Sequence, residues 1–72
     1  MHTPTKLATY SAKRNDEDRE SAQGFPRGSS VRRLAADSIR LRRWAWHRWG
    51  AGRISFEAVR LLIAPDPTQV EA

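Results

Sequence analysis

Four carboxylates crowd into five positions of this 72-residue chain, Asp16, Glu17, Asp18 and Glu20. Paired carboxylates do general acid–base work when a rigid element holds them at a fixed separation. These four lie in a polar stretch, KRNDEDRESAQ over residues 13–23, that has no apolar face, so they read as a solvated run. The histidines are His2 and His47, far apart, and there is no cysteine. That leaves no ligand set for zinc and no thiolate nucleophile. No glycine-rich phosphate loop is present either. His47 has no orienting partner in sight and reads as a surface residue rather than a general base. The sequence thus points to a protein that is not an enzyme, with no metal and no cofactor.

What remains chemically active is arginine. The net charge is +5, but it is unevenly placed. Residues 1–23 balance to zero, residues 54–72 carry −2, and residues 24–53 carry +7 through eight arginines against Asp37. Guanidinium groups fork carboxylates and phosphates and stack on flat rings. A concentrated block of them suggests an acidic partner; the competing reading is a solvated face that keeps a small protein soluble.

A long helix must position this block. Residues 31–49, VRRLAADSIRLRRWAWHRW, contain no Gly, Pro or Asn. Steps of ~100° gather Val31, Leu34, Ala35, Ser38, Ile39, Leu41, Ala45, Trp46 and Trp49 on one face. Arg32, Arg33, Arg40, Arg43 and His47 gather opposite. Arg42 falls inside the apolar stripe. Trp44 falls outside it, beside the basic face, where an exposed tryptophan has the character of a binding hot spot. The candidate partner-binding set is therefore Arg33, Arg40, Arg43, Trp44 and His47. Ser29 or Ser30 caps this helix, and Gly50 is the expected left-handed residue at its end. A second, short helix spans 55–64, capped by Ser55 and ended by Pro65, with Ile54 and Val59 placed as a hydrophobic staple. Residues 1–28 read as a polar, poorly ordered or marginally helical segment and linker, 29–64 as a helical hairpin, and 65–72 as a polar tail. Within 1–12, Thr3-Pro4 could open a helix that puts Leu7 and Tyr10 on one face.

The fold class is all-α, a long helix, a tight turn and a short helix. The short helix is apolar nearly all round and too short to cover the long one, so more cover is needed. The first candidate is a second copy, giving a dimeric four-helix bundle through Val31, Leu34, Ile39, Leu41, Trp46, Trp49, Phe56, Val59, Leu62 and Ile63. The second is the chain's own N-terminal segment through Leu7 and Tyr10. A helix-turn-helix is disfavoured. The helix after the turn offers only Glu57 and Arg60 to base edges, and Trp46 stands where a small residue is wanted.

No apolar run approaches the ~20 residues of a membrane span, and the N-terminus lacks the apolar region of a secretory signal. The chain reads as soluble and cytoplasmic. Its Trp44-Ala45-Trp46-His47-Arg48-Trp49 helix end, Gly50-Ala51-Gly52 turn and apolar helix from Phe56 to Ala64 resemble the format of small bacteriophage accessory proteins. Among these are the anti-activators that bind transcription regulators as dimeric helical hairpins. The turn Gly52-Arg53-Ile54-Ser55 also resembles other helical-hairpin modules. The resemblance implies a regulatory or inhibitory protein, likewise a homodimer, that docks on another protein's acidic or apolar groove. The alternative is a nucleic-acid-binding protein that uses the arginine face of helix 31–49.

Overall fold

A computed structural model describes residues 5–66 and 68. It contains three helices in the order α1 (Thr5–Ala22), α2 (Ser30–Gly50) and α3 (Phe56–Ile63), and no strand among the described residues.

Each helix after the first begins on a serine. The Ser29 hydroxyl accepts from the Arg32 amide at 3.3 Å, and the Ser55 hydroxyl accepts from the Ala58 amide at 3.2 Å. These satisfy donors that the first helical turn leaves without a partner. At the other end of α2, the Arg53 amide donates to the Arg48 carbonyl at 2.8 Å and the Gly52 amide to the Trp49 carbonyl at 2.9 Å. That pair of bonds is a Schellman closure, which wants a left-handed residue just past the cap. Gly52 supplies it, with φ of 73°. The expectation that Gly50 would do so is corrected: Gly50 is the last helical residue, and the reversal comes two positions later.

The segment before Gly24 is the larger correction. With no apolar face, residues 13–23 read as either a disordered linker or a helix that forms only against a partner, within a segment that is poorly ordered or marginally helical. Residues 13–22 form the second half of an 18-residue helix that packs against α2. Leu7, Ser11, Asn15, Asp18 and Ala22 recur every three or four positions, so they share one side of α1. Only the first and last are apolar; the middle three are satisfied by polar partners on α2. Asp18 accepts from the Arg42 guanidinium at 2.7 Å, Asn15 accepts from it at 2.9 Å, and the Ser11 hydroxyl accepts from the Trp46 indole N–H at 3.1 Å. Contacts climb α2 as they descend α1, so the two helices run antiparallel.

The core forms where all three helices meet. Leu7, Ala45, Val59, Ile63 and Ala64 are buried, with Tyr10, Trp46, Trp49 and Ile54 packed around them. Trp49 holds the centre edge-on, 5.8 Å from the Trp46 ring and 6.2 Å from the Phe56 ring. Such contacts add to the area buried by the rings themselves. The second candidate for cover is thus present in the single chain: α1, through Leu7 and Tyr10, lies over the core. It shields only one side of α2. Ile39 becomes half-buried, whereas Val31, Leu34 and Leu41 stay exposed, as do Phe56 and Leu62 on α3.

Candidate partner-binding surface on the central helix

α2 packs α1 along Arg42 and Trp46 and contributes Ala45 and Trp49 to the core, so half its circumference faces outward. All five residues singled out from the sequence, Arg33, Arg40, Arg43, Trp44 and His47, are exposed there. At 100° per residue they fall within an arc of about 100°. Trp44 is 47% exposed. A ring of that size left half in water is not placed by core packing.

Its immediate neighbour is a residue the sequence reading passed over. The Arg48 guanidinium carbon stands 5.8 Å from the centre of the Trp44 ring. This is a cation–π arrangement between two exposed side chains. The signal was available, since Arg48 lies four residues after Trp44 and so above it on the helix. Arg40 meets Asp37 at 3.6 Å in a loose, exposed pair. Among the described residues none forms an ion pair with Arg33, Arg43 or Arg48. A second addition comes from α1: Arg19 joins Arg40 and Arg43 around a shallow groove floored by Ala36 and Ile39. Arg19 was hidden in the polar stretch whose packing the sequence did not reveal.

Arg42 is the contrast. Only 8% of it is exposed, and its charge is consumed by Asp18 and Asn15. It holds two helices together and presents nothing to a partner. Three of the four clustered carboxylates are likewise engaged by arginines: Asp18 holds Arg42, Asp16 accepts from Arg19 at 3.0 Å, and Glu17 accepts from Arg14 at 3.2 Å. Among the described residues no group of three His, Cys, Asp or Glu side chains could hold a metal ion. No described helix is long and apolar enough to cross a membrane.

On α3, Glu57 accepts from Arg60 at 2.6 Å and 3.3 Å. The hydrogen bond first, and the guanidinium charge second, hold its carboxyl below the usual carboxylate range. Asp66 is held low by hydrogen bonds from the Thr68 side chain and backbone. Both residues are exposed and lie off the α2 surface.

No family model, no curated protein and no solved structure matches this chain.

Proposed function

We propose that the chain is a non-enzymatic regulatory or inhibitory protein of the cytoplasm that docks on another protein through the outward face of α2. The observation that carries this reading is Trp44. It is half-exposed, braced by Arg48, and ringed by arginines whose donors have few acids to meet. Trp and Arg are the residue types most enriched where binding energy concentrates. The complementary partner has an acidic or apolar groove, such as a transcription regulator offers, in the manner of the phage anti-activators. Self-association belongs to the same reading. Leu34, Leu41, Phe56, Leu61 and Leu62 stay exposed in the single chain, and a second copy of the hairpin formed by α2 and α3 would cover them as a four-helix bundle.

The nucleic-acid reading draws on the Arg19, Arg40 and Arg43 groove, whose charge suits phosphate. One experiment separates the two. The tagged chain, its Trp44→Ala variant and an Arg33→Gln/Arg43→Gln variant are used to capture partners from host lysate with and without nuclease. Docking on a protein predicts a bound species that survives nuclease. It also predicts that Trp44→Ala weakens binding by about thirtyfold, or about 2 kcal/mol, at unchanged helicity. Capture that nuclease abolishes, with affinity falling by several powers of the salt concentration, refutes that reading in favour of nucleic acid.

A further inference from the structure

Beside its basic side, α2 presents a second outward line. Leu34, Asp37, Leu41, Trp44 and Arg48 follow one another at intervals of three, four, three and four residues. That is the 3.5-residue spacing with which one helix meets another along a seam. The apolar members are open to water: Leu34 is 66% exposed, Leu41 44% and Trp44 47%. Neither α1 nor α3 covers them, although each covers other positions of α2. Three large apolar side chains in one line, with one acid and one base between and beyond them, is an arrangement that a single chain leaves unused.

We propose that this line pairs antiparallel with the same line of a second copy, with the two-fold axis between positions 42 and 43. Leu41 then faces Trp44 of the partner subunit, and Trp44 faces Leu41 of the partner subunit, so both central layers are apolar. Asp37 comes opposite the partner subunit's Arg48, and the symmetry repeats that contact at the other end.

The charges set the direction. Parallel pairing would bring Asp37 against Asp37 of the partner subunit, and Arg48 against Arg48 of the partner subunit, two like-charge contacts. Antiparallel pairing converts both into opposite-charge contacts. The single chain has both groups ready. Arg48 is already laid over Trp44, at the end of the seam. Among the described residues the Asp37 carboxylate has only the loose 3.6 Å contact to Arg40 on its own helix, and both side chains are largely exposed.

Pairing of this kind buries Trp44. A second copy and a docked protein therefore compete for one surface, and the resting dimer closes the site. This closure rests on the docking reading above; the pairing itself does not.

Sedimentation of the full chain over about 5–500 micromolar, a span wide enough for a seam this short, tests the pairing. Wild type should show a concentration-dependent monomer–dimer equilibrium. Asp37→Arg and Arg48→Asp, each confirmed helical by circular dichroism, should each weaken it at least about tenfold, because each turns two attractive contacts into two repulsive ones. The double reversal, Asp37→Arg with Arg48→Asp in one chain, should restore the dimer to within about threefold of wild type, because antiparallel pairing brings opposite charges together again. A chain that is monomeric throughout overturns the proposal. So does a dimer indifferent to the single reversals, as a parallel pair or one built on Leu61 and Leu62 of α3 would be, or one that the double reversal fails to restore. For the closure, Asp37→Arg held monomeric should capture more of the docking protein than wild type. Equal capture overturns the closure and leaves the pairing standing. A chain that pairs but captures no protein at all refutes the docking reading alone.

Discussion

Removing the Asp18 carboxylate should damage this protein more than any other surface-to-interior change on α1. The Arg42 guanidinium sits 2.7 Å from Asp18 and 2.9 Å from Asn15, with side-chain exposure of 10% for Arg42 and 19% for Asp18. Asp18→Ala leaves that cation nearly dry with one neutral acceptor. Breaking a fully buried pair costs about 3–5 kcal/mol; the residual exposure of Asp18 brings the expected loss down to about 2–3 kcal/mol. A chain of this length has about 4–10 kcal/mol of stability at most typical values per residue, so the variant should melt roughly 10–20 °C lower. The companion variant is diagnostic. Asp18→Leu with Arg42→Leu removes both charges and should recover most of the loss, since an apolar pair avoids desolvating ions. Urea unfolding followed by circular dichroism, at one fixed protein concentration, measures both. A cost below about 0.5 kcal/mol for Asp18→Ala, or a double variant as weak as the sum of the single ones, would refute the reasoning.

Three further outcomes follow from local geometry. Gly52→Ala should cost about 1 kcal/mol in thermal unfolding, through backbone strain alone, because φ is 73° and an added Cβ would meet nothing within 4 Å. Ser29→Ala and Ser55→Ala should each cost about 1 kcal/mol by the loss of the first-turn acceptor, read as separate shifts in melting temperature. The folded pKa of Glu57 is depressed, so its contribution is present above the ordinary carboxylate range and lost as pH falls through the lowered value. The stability difference between wild type and Glu57→Gln should therefore be seen at neutral pH and vanish once the pH has fallen below the lowered value.

The elements with periodic apolar residues and serine caps could be read from the sequence. Helix α2, the Ser55 cap and the outward placement of Trp44 all follow from spacing, and the structure has each of them. The first helix did not follow, for a physical reason. A helix is recognised by an apolar stripe, and α1 docks through Ser11, Asn15 and Asp18, polar residues indistinguishable from solvated ones until their partners are known. The clue lay in the other helix: Arg42 inside an apolar stripe demands an acid, and the only acids in number lie in residues 16–20. Leu34 and Leu41 illustrate a second limit. Angular position assigned them to the inward stripe of α2, but the bend of the chain put α1 on the Arg42–Trp46 side, so the stripe faces α1 and α3 only in part. The Arg48–Trp44 contact is legible from spacing alone, since the two stand four residues apart on one helix.

The polar docking of α1 fixes more than contact. Apolar ridges tolerate sliding, because one methyl group serves nearly as well as the next. Two hydrogen-bonded latches one turn apart, Arg42 with Asp18 and Asn15, and Trp46 with Ser11, do not. A slip of one turn, about 5.4 Å along the axis, would leave the guanidinium opposite Ser11 or Ala22 and the indole N–H without its hydroxyl. Either slip breaks the Arg42–Asp18 ion pair and leaves one donor unmet, the indole N–H beside Leu7 or the guanidinium beside Ala22. A chain with few large side chains to interlock thus sets its helix alignment as a key sets a lock, by position-specific notches, and α1 can occupy one setting along α2 and no neighbouring one.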